Sequence, residues 1–122
     1  MNNLKIDIYL QNNEEIFEEK NINAERKNNL LFFELNDDKY ELNINKNIIL
    51  KKENKESILK FNFIENEKNI AEYYIKEFDS YINIKIKTNY IRNIDNEITI
   101  NSDLYIEDDL VGNNTYKITI KE

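Results

Sequence analysis

Residues 81–93 read YINIKIKTNYIRN, and this stretch decides the fold class. Ile82, Ile84 and Ile86 take every second position, while asparagine and lysine fill the positions between them. Successive side chains of a β-strand point to opposite faces of its sheet. The alternation therefore predicts a half-buried strand, with one apolar face and one polar face.

The same period of two recurs along most of the chain, and helical spacing is scarce. Clusters of asparagine and aspartate separate the segments; these residues suit turns because they tolerate positive φ and bond to nearby backbone. The single glycine, Gly112, begins a Gly-Asn-Asn stretch that predicts a hairpin tip before the last strand. The predicted strands are Leu4–Leu10, Glu15–Ile22, Asn29–Leu35, Lys39–Ile44, Ile48–Lys52, Ser57–Ile64, Asn69–Ile75, Tyr81–Tyr90, Glu97–Tyr105 and Thr115–Lys121.

Parity tests how these strands pair, because opposed residues of an antiparallel pair share a face. Apolar positions are even-numbered in both 81–90 and 97–105. If the numbers of two opposed residues add up to an even number (an even residue sum), apolar residues therefore lie opposite apolar residues. The hairpins within 57–75 and 39–52 obey the same rule. The charged pairs that their registers predict are Lys60–Glu72 and Glu41–Lys51.

A chain of 122 residues suits a single domain that spans residues 1–122. A domain of this size has a core large enough to fold without disulfides or a structural metal. Its strand pattern predicts an all-β fold, an antiparallel up-and-down meander of about 8–10 strands. Two architectures remain open at this point, a closed barrel and a two-sheet β-sandwich.

One segment departs from the alternation. LLFFEL, residues 30–35, is apolar on both faces. If its even-numbered residues face inward with those of the next strand, then Leu31, Phe33 and Leu35 face outward. A β-bulge or a covering loop would account for this, and so would a self-association surface formed by these three residues, because an exposed apolar row is otherwise an aggregation hazard.

Composition excludes several functional classes. The absence of cysteine and histidine removes disulfides, thiolate metal ligands and the commonest general base. The formal net charge is −7, and lysines are interleaved with acids, so neither nucleic acid nor an anionic membrane is an expected partner. Without a signal-like or spanning apolar run, we expect a cytoplasmic protein. The bias toward Asn, Ile, Lys and Glu suggests an AT-rich bacterial coding background.

No catalytic motif emerges. Neighbouring acids on one strand point to opposite faces, so the pairs at 14–15, 18–19, 37–38 and 108–109 do not predict converging carboxylates. Neither a calcium-binding ligand ladder nor a phosphate-binding glycine loop is present. We therefore predict no catalytic residue, no metal and no cofactor, and expect a protein that is not an enzyme.

The order of features in YYIKEFDSYINIKIKT, residues 73–88, preceded by ILKFNFIENEKNIAE, resembles the YwiB-like family. Phe63, Tyr74, Phe78 and Thr88 match positions of that family's pattern, whereas its Arg-x-Gly turn is absent from residues 52–54. Members are small bacterial β-barrels of the calycin (lipocalin-like) type with no established activity. The resemblance implies a calycin-like barrel and no particular chemistry.

Five residues are candidates to face the barrel lumen: Phe61, Phe63, Tyr73, Ile84 and Ile100. They either fill the interior or line a cavity for a small, partly apolar ligand, with tyrosine hydroxyls as hydrogen-bonding groups. The alternative hypothesis is a protein-interaction or self-associating module with a filled core, such as a homodimer. An enzyme that uses carboxylate, lysine or tyrosine is a third hypothesis and would require an enclosed cleft.

Overall fold

The structure, a computed structural model, describes residues 2–121, and these form ten β-strands without a helix. The strand bounds are β1 Asn2–Asn12, β2 Glu15–Lys27, β3 Leu30–Leu35, β4 Asp38–Ile44, β5 Ile48–Glu53, β6 Ser57–Phe63, β7 Lys68–Ile75, β8 Ser80–Ile94, β9 Glu97–Ile106 and β10 Asp109–Lys121. All ten predicted segments are therefore strands, and β10 begins six residues earlier than predicted.

Every strand pairs antiparallel with its neighbours in sequence, and β1 also pairs with β10. The sheet closes in the order β1-β10-β9-β8-β7-β6-β5-β4-β3-β2. The predicted meander and its closure into a barrel are confirmed, and the sandwich alternative is wrong. Residues 2–121 contain no helix long and apolar enough to cross a membrane.

The interior is a single apolar cluster to which every strand contributes side chains. The predicted inward isoleucines Ile84, Ile86, Ile98 and Ile100 are all buried, each 6% exposed or less. Alternation explains this cluster, because each strand contributes every second side chain. The other buried apolar residues are Ile6, Ile8, Ala24, Leu31, Phe33, Leu42, Ile44, Ile48, Leu50, Phe61, Phe63, Ala71, Ile118 and Ile120.

Both predicted charged pairs lie opposite each other. Glu41 faces Lys51 across β4 and β5, and the Lys60 ammonium lies 3.7 Å from the Glu72 carboxylate. In the β8–β9 hairpin the numbers of opposed residues add up to an even number only from the pair Ile84–Ile106 to the pair Thr88–Ser102, the half remote from the 95–96 turn. An extra residue, Asn89, then shifts the register so that odd meets even. The parity prediction is therefore right for one half of that hairpin and wrong for the other.

The segment LLFFEL faces the opposite way from our expectation. Leu31 and Phe33 are buried, at 0% and 6% exposure, and Leu35 is half-buried and packs against the core. The reason is the turn: a two-residue loop joins Leu35 to Asp38, so the residue sum of the β3–β4 pair is odd and Leu31 lies opposite Leu42. The outward self-association surface of Leu31, Phe33 and Leu35 is thus wrong.

Gly112 is not at a hairpin tip. The tip is the two-residue turn at 107–108, and Gly112 lies inside β10 beside a bulge at Val111. A β-carbon on Gly112 would lie 3.0 Å from the Asn13 side chain, which accepts a hydrogen bond from the Asn113 amide. The glycine therefore makes room for the β1–β2 turn.

Candidate ligand-binding cleft

The barrel wall is held by a short seam between β2 and β3. Only four residue pairs join these strands, from Ala24 opposite Phe33 to Lys27 opposite Leu30. Within the described residues, 15–23 of β2 pair with β1 alone, and residues 34–35 of β3 pair with β4 alone. The two strands diverge beyond the seam and leave an opening in the side of the barrel.

A cleft of about 750 Å³ lies at this opening. Inward-facing and outward-facing residues both line it, which is expected where a cleft passes through the wall of a sheet. The inward-facing lining is apolar apart from one phenol, and consists of Leu4, Ile22, Ala24, Phe33 and Tyr40. The outward-facing rim consists of Asn3, Asn23, Glu25, Phe32, Glu34 and Lys39.

Tyr40 is the polar group of the inner lining. Its ring stacks on Phe33 with the centroids 4.9 Å apart and the planes 8° from parallel, so the phenol is fixed in position. Burial raises the pKa of Tyr40 above its usual value of 10.0, and the neighbouring Lys52 partly opposes this. The hydroxyl therefore stays protonated at neutral pH, and can both donate and accept a hydrogen bond.

A second, more polar cleft of about 800 Å³ adjoins the first and shares Glu34 and Lys39 with it. Two hydrogen bonds connect its walls. The side-chain amide of Asn54 donates to the Asp38 carboxylate, 2.9 Å, and the Lys76 ammonium donates to the backbone carbonyl of Asn54, 2.8 Å. Within residues 2–121, no three acidic side chains are grouped as metal ligands. Lys76 and Glu53 form an ion pair within this cleft, and all the side chains that line it are polar or charged. The first cleft, with its apolar inner lining, is therefore the better candidate for a partly apolar ligand.

The predicted lumen-facing residues lie elsewhere in the barrel. Phe61, Phe63, Ile84 and Ile100 are buried in the core, Tyr73 is partly buried against it, and none of them lines the cleft. Their role toward a ligand stays a prediction. The cleft residues were missed because they meet only where two strands separate. The one sequence signal is the small Ala24 opposite the large Phe33.

The interior also contains polar side chains that the sequence analysis did not predict. Thr88, Ser102 and Asn114 lie side by side across β8, β9 and β10, and all are buried. The Thr88 hydroxyl oxygen and the side-chain amide oxygen of Asn114 have no hydrogen-bond partner within residues 2–121. Nearby, burial raises the pKa of Tyr116, whose ring packs 5.8 Å from that of Phe63.

Comparison with known proteins gives a match in structure but not in sequence. No family model and no curated protein matches the chain. The crystal structure of the ywiB protein from Bacillus subtilis matches with a TM-score of 0.68 over 98% of this chain and 94% of that chain, at 15% identity. A likeness at this identity shows the fold alone. This chain accordingly has the barrel fold of the Bacillus subtilis ywiB protein, as the resemblance read from its sequence implied.

Proposed function

We propose that the protein binds a small, partly apolar ligand in the cleft between β2 and β3. The observation that carries this proposal is the distribution of apolar and charged side chains in the cleft. Its inner wall is apolar, and its opening has a charged rim. Ligand-binding pockets usually have volumes of about 300–1,000 Å³, with few polar groups among apolar ones. The cleft, at about 750 Å³, lies within that range.

The charges around the cleft favour a neutral or cationic ligand over an anionic one. Two carboxylates, Glu25 and Glu34, lie on the rim with a single ammonium, Lys39, and the chain carries a net charge of −7. A binding surface with net negative charge repels a ligand of the same charge. The apolar body of the ligand would lie against Phe33 and Leu4, with a polar group at the Tyr40 hydroxyl.

This is a binding function without catalysis, as in a calycin-like barrel. A bacterial source and a cytoplasmic location are part of the same proposal. They rest on the composition of the chain, namely its bias toward Asn, Ile, Lys and Glu and its lack of cysteine.

Fluorescence titration with N-phenyl-1-naphthylamine, a neutral apolar probe, tests the proposal. Its emission should rise in a saturable manner with the wild-type protein. Ala24→Leu, which places a larger side chain in the cleft, should weaken binding at least about tenfold. Ala71→Leu is the matched control, because Ala71 is also a buried, inward-facing alanine but does not line the cleft.

Circular dichroism establishes that each variant is folded before titration. Absence of any saturable emission would contradict the proposal, and so would equal weakening by the two substitutions. Repeating the titration with dodecylamine and dodecanoate as competitors tests the charge preference, since the amine should displace the probe at lower concentration. Displacement by the carboxylate alone would contradict the assignment of a neutral or cationic ligand.

The alternative hypothesis, a protein-interaction module, no longer rests on the segment LLFFEL. A different feature supports it: one strand of the barrel has an edge that no other strand within residues 2–121 covers.

A further inference from the structure

The outer part of β2 is an open sheet edge. Residues Glu15–Asn23 pair with β1 on one side, and no strand within residues 2–121 pairs with them on the other. Such an edge presents a row of unpaired backbone N–H and C=O groups. Residues 15–21 are exposed throughout, so these groups are accessible to another chain.

The side chains along this edge are mostly acidic. Glu15 and Glu19 lie toward the inner side of the sheet beside Phe17, whereas Glu18 lies toward the outer side beside Ile16. None of these three carboxylates takes part in an ion pair within the described residues, which leaves their charges uncompensated by the protein itself. Lys20 is the single cation of the stretch 14–20.

This charge pattern argues against a second copy as the occupant. Glu18 and Glu19 lie at the middle of residues 15–22, so antiparallel pairing of two copies would place these carboxylates opposite or diagonal to one another. Like charges in those positions destabilise a strand pair. Acidic side chains on an edge thus prevent self-pairing, and the same side chains select a basic partner.

We propose that this edge binds an extended, lysine- or arginine-rich segment of another protein by β-strand addition. Backbone hydrogen bonds to β2 would provide the affinity, and pairs between the guest cations and Glu15, Glu18 and Glu19 would provide the selectivity. Ile16, which is 61% exposed, and Phe17, which is 37% exposed, offer apolar contacts on the two faces of the added strand.

Fluorescence anisotropy with the labelled octapeptide Val-Lys-Lys-Val-Val-Lys-Lys-Val, which presents lysines on both faces of an added strand, tests this proposal. The variant Glu18→Lys/Glu19→Lys should weaken binding at least about tenfold. The control Glu67→Lys/Glu77→Lys changes the net charge equally at exposed turn positions and should weaken binding less than about twofold. The same peptide N-methylated at alternate residues cannot pair with the edge and should not bind.

Equal weakening by both double variants would overturn the proposal, because it would indicate general attraction to an acidic protein. Undiminished binding of the N-methylated peptide, or no binding of the parent peptide, would overturn it as well. Sedimentation showing a wild-type dimer that Glu18→Lys/Glu19→Lys dissociates would assign the edge to a second copy instead. Ala24→Leu should leave peptide binding unchanged, so this test is separable from that of the ligand-binding cleft.

Discussion

At the level of single residues, asparagine and aspartate supply the left-handed backbone that a meander of short loops requires. Among the residues that the structure describes, eleven non-glycine residues have positive φ, and ten of these are Asn or Asp. Their role in turns follows from the sequence, since short polar side chains tolerate this conformation. β2 also has a bulge between Glu19 and Ile22, where Asn21 has a φ of 60°. This bulge does not follow from the sequence, because in an asparagine-rich chain nothing distinguishes a bulge asparagine from its neighbours.

The first prediction concerns Asp7, which fixes that bulge. Its carboxylate accepts a hydrogen bond from the Asn21 amide, 2.9 Å, and pairs with the Lys121 ammonium, 2.9 Å. The Asn21 amide and Lys121 hold the pKa of Asp7 below its usual value of 3.8. A carboxyl group whose pKa is lower in the folded state stabilises the fold fully at pH values above its unfolded-state pKa. This stabilisation is lost as the pH falls through its folded-state pKa.

We therefore expect Asp7→Asn to lower the melting temperature near neutral pH, and the difference from wild type to shrink below about pH 4. Thermal melts followed by circular dichroism across this range measure the effect. Glu14→Gln, at an exposed turn residue without an ion pair in the described residues, is the control. A difference that stays constant from neutral to acidic pH would contradict the role given to Asp7.

A second prediction uses the β3–β4 turn. Asn36 and Asp37 both have positive φ, 51° and 68°, as in the two-residue hairpin turns that favour Asn-Gly. Asp37→Gly should raise the free energy of unfolding by about 0.5–1 kcal/mol, because glycine removes the steric cost of that conformation. Lys46→Gly should lower it by a similar amount, since Lys46 is not at positive φ. Urea denaturation would contradict this account if both variants shifted in the same direction.

At the level of strands, turn length and bulges decide which face each side chain takes. A two-residue turn gives an odd residue sum, which is why Phe33 points inward, and each bulge changes the parity again. Alternation within a strand is visible in the sequence, so ten strands could be predicted. Parity between strands is visible only where turn length is known, so LLFFEL was assigned to the wrong face.

The third prediction is that Asn89 is the extra residue of β8, whereas Lys87 belongs to its regular part. Deleting Asn89 leaves Tyr90 opposite Asn101 and Ile91 opposite Ile100, so every side chain keeps its face. Deleting Lys87 instead puts one half of β8 on the wrong face, and a buried isoleucine such as Ile84 contributes about 1.5–3 kcal/mol. We expect the Asn89 deletion variant to stay folded and the Lys87 deletion variant to unfold, as measured by urea denaturation. Equal stability of the two deletion variants would contradict the register.

At the level of the whole molecule, the barrel is complete except along one side. The meander left a barrel and a sandwich open, and closure into a barrel was implied by the family resemblance. The short β2–β3 seam is not visible in the strand pattern of the sequence. Neither the apolar run of β3 nor the mixed pattern of β2 indicates where the two strands separate, so their divergence depends on the geometry of the closed sheet. The candidate cleft and the open edge both lie where the strands separate, and for this reason neither was predicted.

Residue-resolved hydrogen exchange by NMR tests this central feature, the separation of β2 from β3, most directly. In residues 15–23, the amides that point toward β1 should exchange slowly, whereas the alternate amides, which face the opening, should exchange at rates close to those of an unfolded chain. In residues 24–26, where both edges are paired, all amides should be protected. Uniform protection along the whole of β2 would show that the edge is covered, and would contradict the account.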